Sequence, residues 1–177
     1  SLAFDEVAKA FVIIEYKRDK NVSVIDQGFT YLGLMLENKA DFIIEYNEQL
    51  KKSMKREEVD WSQTRVVFVS PSFTEFQIEA TNFKDIAIAL WEVKQYSNGT
   101  VFIHELKKGK GAESIKPLAQ KNKEMMDVIG QIQVYTEDQL LSATTPEMAE
   151  LYERFKASIL NLADDLEVKP LKHYIAF

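Results

Sequence analysis

The sequence predicts an α/β protein. Two observations carry that expectation: short β-branched and aromatic runs recur through the first hundred residues, and segments with apolar side chains at helical spacing lie between them. A third bounds the class. With 46% apolar and 28% charged residues, and only 6 Gly and 4 Pro among 177, the chain is neither disordered nor collagen-like and is long enough for one sizeable domain or one domain with an appendage.

Taken in order, Leu2 to Phe4 is an apolar start, and Ala10 to Tyr16 (AFVIIEY) is a nearly continuous β-branched and aromatic run, expected as a strand buried on both faces. Ser23 offers an N-cap with Asp26 in the first turn. Val24, Tyr31, Leu32, Met35 and Leu36 then carry a helix to about Asn38. Asp41 to Tyr46 (DFIIEY) reads as a second strand, Asn47 to Glu58 as a charged helix, Arg65 to Ser70 (RVVFVS) as a third strand, and Thr74 to Phe83 as a helix. Ile88 to Tyr96 and Thr100 to Leu106 flank Ser97-Asn98-Gly99 and are expected to pair as a hairpin. Pro146 suits a first helical position, and Leu151, Phe155, Ile159 and Leu162 line one face of a helix to about Leu162. Leu166 to Val168 and His173 to Phe177 read as short strands.

Charge divides the chain more sharply than its net of −6. Residues 1–106 hold 12 basic and 17 acidic groups, residues 107–123 six Lys and one Glu, and residues 124–177 four basic and ten acidic groups. The middle piece has two Gly, one Pro and no clear apolar period, so residues 107–134 are expected to be a Lys-rich linker. Its lysines could track a phosphate backbone, but a solvated loop is the favoured expectation.

Composition also excludes. No cysteine means no disulfide, thiol nucleophile, Cys-ligated zinc or iron–sulfur cluster, and two histidines, His104 and His173, disfavour a His-rich metal site. No apolar run approaches the ~20 residues that span a bilayer. With no basic-then-apolar leader, a cytoplasmic location is the default expectation. Lacking an initiator Met, the chain reads as a segment cut from a longer protein.

The sharpest candidate for chemistry is Glu15-Tyr16-Lys17, where the two-residue period of a strand projects Glu15 and Lys17 together. A carboxylate there can hold a hard divalent cation, while an ammonium can orient a water and steady developing phosphate charge. Two decoys resemble it: Glu92-Val93-Lys94 has the same form, and Ile44-Glu45-Tyr46-Asn47 lacks the lysine. Only the first is followed by a helix carrying Gln27 and Tyr31 four apart, on one face.

EYK, the intervening stretch Arg18 to Asp26, and QGFTY together resemble the PD-(D/E)XK nuclease superfamily, especially its RecB-like and mismatch-endonuclease branches. The resemblance implies, over residues 1–106, a restriction-endonuclease-like core with a mixed central sheet flanked by helices, its first strand truncated, followed by a mainly helical C-terminal segment. It further implies that Glu15 and the Tyr16 carbonyl bind Mg²⁺ or Mn²⁺, that Lys17 positions the attacking water, and that Gln27 and Tyr31 support the site or contact DNA. The implied partner is DNA, with a homodimer left open and no membrane. The superfamily's other ligand is an Asp on the preceding strand. Asp5 aligns best with a second, turn Asp of that strand, so the ligand is expected just before Ser1, with Asp5 itself the minority alternative. Metal-dependent DNA cleavage is therefore the leading expectation, and an inactive nuclease-fold scaffold the competing one. Residues 135–177 resemble the opening of an uncharacterised domain found behind such modules and labelled a predicted transport protein.

Other features read as structural. Ser70-Pro71-Ser72 is expected as a turn and helix cap, His104 as a surface or structural histidine, and Phe73, Phe76, Phe83, Trp61 and Trp91 as packing residues rather than a base-stacking platform.

Overall fold

The computed structural model describes residues 1–18, 23–109, 111–163 and 166–177, in two units, Ser1–Val134 and Tyr135–Phe177. Lys110 and residues 19–22, part of the stretch between the two halves of the motif, lie outside the described residues, as do residues 164–165.

The first unit is mixed α/β. Its five strands, β1 (Leu2–Asp5), β2 (Ala10–Tyr16), β3 (Arg65–Ser70), β4 (Ile88–Gln95) and β5 (Val101–Glu105), stand side by side in chain order. The outer pairs are antiparallel hairpins, while β2, β3 and β4 run parallel. Parallel neighbours need crossovers. Helices α1 (Val24–Glu37) and α2 (Lys39–Leu50) supply the first and α3 (Glu75–Thr81) the second. The core lies between α1 and the sheet, where Val24, Phe29, Leu32 and Leu36 meet Val66, Phe68, Ile88 and Leu90. A second cluster joins Phe11 to Met35, Ile43, Tyr46 and Val59. Among the described residues, no helix is long and apolar enough to cross a membrane.

Strand β2, helix α1, strand β3, helix α3 and the hairpin lie where the sequence places them. Ser23 accepts from the Asp26 amide, and Gly99, with φ +85°, makes the hairpin turn that a side chain would strain. The segment DFIIEY does not form a strand. Asn38 ends α1 and begins α2, so Ile43 and Tyr46, three apart, turn inward while Ile44 is 53% exposed. Its apolar run is short enough to suit either period. The charged helix expected over 47–58 is likewise absent. Helix α2 stops at Leu50, Lys51 takes a left-handed conformation, and the Asn47 side chain closes the following loop by donating to the Met54 carbonyl and accepting from the Met54 amide.

The linker expected over 107–134 is also corrected. Helices α4 (Lys116–Ala119) and α5 (Lys123–Gln131) bring Ile115, Ala119, Val128, Ile129 and Ile132 into the main core. Asp85 anchors the segment by accepting from the Ser114 hydroxyl and the Ile115 amide. The lysines lie around these few apolar anchors, which is why charge masked them.

The second unit holds α6 (Glu137–Leu141), α7 (Pro146–Leu160) and a ladder of β6 (Lys169–Pro170) with β7 (Ile175–Ala176). Its strands are shorter than expected and begin after Val168. Tyr152 and Lys156 of α7 both donate to Glu137, while Leu151 and Phe155 remain exposed.

Candidate functional site

Strand β2 begins buried and ends exposed, so its polar residues emerge at the C-terminal edge of the parallel strands. Glu15 and Lys17 share the face that packs on α1, while Tyr16 points to the other face and is 65% exposed. The Lys17 amide donates to the Val69 carbonyl at 2.8 Å, which extends the ladder with β3 one residue past β2 and fixes the lysine backbone.

The Lys17 side chain is only 9% exposed. Its Nζ lies 5.3 Å from the Phe68 ring centroid, donates to Gln27 Oε1 and stands 3.9 Å from Glu15 Oε1. Gln27 Nε2 donates in turn to the Tyr31 hydroxyl at 2.7 Å. Glu15, Lys17, Gln27 and Tyr31 therefore form one continuous polar chain. Its order is dictated by donor chemistry, because an ammonium can only donate and must face the amide oxygen. The helix can approach because residue 28 is glycine: a Cβ there would fall 2.4 Å from Ile88 Cδ1 and 2.9 Å from Ile88 Cγ1.

Asp5 does not join this chain. Its Oδ1 accepts from the amides of Val7 and Ala8 at 2.9 Å each, and its Oδ2 pairs with Arg65 at 2.7 Å. It faces Ala10, five residues before Glu15, or about 17 Å down the strand. The amide bonds are those of a turn Asp, and the Arg65 pair ties the same carboxylate to the start of β3. Among the described residues, no three His, Asp or Glu side chains gather as a metal-holding group.

The decoys separate cleanly. Glu45 lies on α2 and accepts from Gln49, away from any strand end. Glu92 and Lys94 are different, because the parallel register sets Glu15, Phe68 and Leu90 in one row and Lys17, Ser70 and Glu92 in the next, on the same face. Glu92 pairs with Lys94 at 3.1 Å and accepts from the Phe73 amide at 3.3 Å, steadying the loop after β3. Ser70 donates to the Ser72 carbonyl within that loop, and Thr74 caps α3 in a reciprocal bond with Gln77. Ser70 and Glu92 were not legible as neighbours of Lys17 until the strands were paired. Phe76 is 74% exposed and so is not a packing residue, whereas Phe73, Phe83 and Trp61 do pack on the core.

Compared with known proteins, the chain is 52% identical over all 177 residues to an uncharacterized protein of Haemophilus influenzae, and it spans 59% of that relative's length. Neither a protein-family model nor a solved structure matches it.

Proposed function

We propose that the first unit is a metal-dependent nuclease module of the PD-(D/E)XK type that hydrolyses phosphodiester bonds in DNA. The observation that carries this proposal is the chain Glu15–Lys17–Gln27–Tyr31 at the edge of the parallel strands, which draws both halves of the motif into one place. Glu15, partly exposed, and the Tyr16 carbonyl are hard oxygen donors. Such a pair fits Mg²⁺ or Mn²⁺, which take one or two carboxylates and fill the remaining positions with water and substrate phosphate. When bound, the ion would polarise the scissile phosphate. Lys17 would orient the water that adds to phosphorus and offset the negative charge that develops as the bond to the departing oxygen breaks. Gln27 holds the ammonium in place, and Tyr31 holds the Gln27 amide in the orientation that accepts from it.

Ser1 and Ile14 exchange backbone hydrogen bonds of 2.8 Å, so extending β1 backward by one residue would set that position opposite Glu15. A carboxylate on the extended strand would complete the pair that the resemblance expects. The alternative reading is a nuclease-derived scaffold without turnover, and it draws on Asp5, whose carboxylate is committed to the far end of the strand pair.

The test incubates the protein, with any residues that precede Ser1 in its native chain, with DNA and Mg²⁺ or Mn²⁺. Cleavage is expected, falling on the order of 10²-fold or more in Glu15→Gln and in Lys17→Met. Asp5→Ala should cost about 1–2 kcal/mol of stability through its lost turn bonds and leave Mn²⁺ binding unchanged. Cleavage that survives both site substitutions overturns the proposal. Folded protein that binds no metal and cuts no DNA supports the scaffold.

A further inference from the structure

The hairpin of β4 and β5 outruns the rest of the sheet. Strand β3 ends at Ser70, paired with Glu92, so among the described residues Val93, Lys94 and Gln95 continue with β5 as their one paired strand. They form a two-stranded arm reaching about 7–10 Å beyond the edge where Glu15 and Lys17 emerge. By the two-residue period, Glu92, Lys94 and Tyr96 lie on the Glu15 face. Their partners across the ladder, His104 and Phe102, lie on the same face.

This face of the arm is neither packed nor simply polar. Tyr96 is 53% exposed, Phe102 45% and the Lys94 side chain 44%, and the rings of Phe102 and His104 stack with centroids 5.9 Å apart. Exposed flat rings beside a lysine whose ammonium is held by Glu92 at 3.1 Å, continuous with the proposed phosphate-cleaving edge, have the makings of a single-strand platform: rings stack on unpaired bases, and the ammonium can exchange its carboxylate for a backbone phosphate. Duplex DNA hides its base faces and offers such rings little.

Resting on the nuclease reading of the β2 edge, we infer that the arm binds single-stranded nucleic acid, with Phe102 and Tyr96 stacking on bases and Lys94 contacting a phosphate next to the scissile one. The substrate class is thereby narrowed to single strands and frayed or flapped ends. Lys94 lies two strands from Lys17, a lateral separation of about 10 Å, which suits a neighbouring phosphate rather than the reacting one. The opposite face of the arm, with Val93, Val101 and Ile103, would suit a second copy of the chain instead. The exposed rings, on the face shared with the proposed site, favour nucleic acid.

Fluorescence anisotropy of a labelled oligo-dT, beside a duplex of equal length, tests this across a salt series. The oligo-dT should bind more tightly. Phe102→Ala should weaken it about tenfold, within the range measured for base–aromatic stacking, and Lys94→Gln should lower the log–log salt slope by about 0.7. Both side chains are exposed, and circular dichroism confirms that the variants fold. Glu15→Gln separates the two proposals: lost cleavage with intact oligo-dT binding supports both, whereas arm-dependent binding without metal-dependent cleavage keeps the arm and removes the nuclease. Duplex bound as tightly as oligo-dT, or variants that bind normally, overturns the arm. So does a concentration-dependent dimer that Ile103→Lys abolishes while oligo-dT binding stays unaltered by Phe102→Ala.

Discussion

Gly28→Ala probes the contact that brings the two halves of the site together. The new methyl would lie 2.4 Å from Ile88 Cδ1, 2.9 Å from Ile88 Cγ1 and 3.4 Å from Phe68 Cε2. Ile88 is 2% exposed and β-branched, so rotating it away only moves the overlap elsewhere in the core. Overpacking of this kind costs about 1–3 kcal/mol, against a helix-propensity gain of about 1 kcal/mol for Ala over Gly. Gly33 lies on the same helix, but a Cβ there meets nothing nearer than Val128 Cγ2 at 3.7 Å, so Gly33→Ala should keep the propensity gain. The two variants should therefore differ by about 1–3 kcal/mol in urea unfolding, with Gly28→Ala the less stable. Adding Ile88→Val removes Cδ1 and should recover part of the loss, a coupling that a double-mutant cycle measures. Gly28→Ala as stable as Gly33→Ala would refute close helix–sheet approach as the reason for this glycine.

Two further predictions concern segments that the sequence concealed. Burial pulls Lys108 down to about 8, outweighing the opposing pull of Asp85 and Glu105, while its ammonium donates to the Ile86 carbonyl. The unfolded chain keeps this proton up to about 10.4, so stability should rise between pH 8 and that value, by about 1–3 kcal/mol, and fall again as pH drops through 8. Urea unfolding of Lys108→Met should lack that rise, and parallel pH profiles for the two proteins would remove Lys108 as its source. In α2, Ile43→Ala should cost about 2–4 kcal/mol and Ile44→Ala no more than about 0.5 kcal/mol, because one side chain is buried and the other exposed. Equal losses would count against the helical placement of these two residues.

What could be read in advance follows from how local each signal is. AFVIIEY and RVVFVS are long β-branched runs ended by polar residues, and the Ser97-Asn98-Gly99 turn carries its own geometry, so these elements were legible. DFIIEY was not. Six residues with apolar side chains at three consecutive positions satisfy both periods, and the deciding contacts, Ile43 and Tyr46 against Phe11 and Met35, come from elsewhere in the chain. The lysine-rich segment failed for a related reason. Its helices are short and contribute single anchors such as Ile115 and Ala119, too few to raise an apolar period above the charge around them.

The same distinction governs the site. Glu15, Lys17, Gln27 and Tyr31 were legible because each pair obeys a short period, two along a strand or four along a helix, and only the distance between the pairs had to come from folding. Glu92-Val93-Lys94 spelled the same triplet but could not be placed, since nothing local tells which strand a third strand will neighbour. Once β3 stands between β2 and β4, Glu92 falls level with Lys17 and its lysine falls on the arm beyond. A triplet that fails to repeat the site can thus still extend it. The two Glu-x-Lys pairs occupy one face at successive depths along the strands, so the inner pair sits against α1 while the outer lysine stands beyond the end of β3.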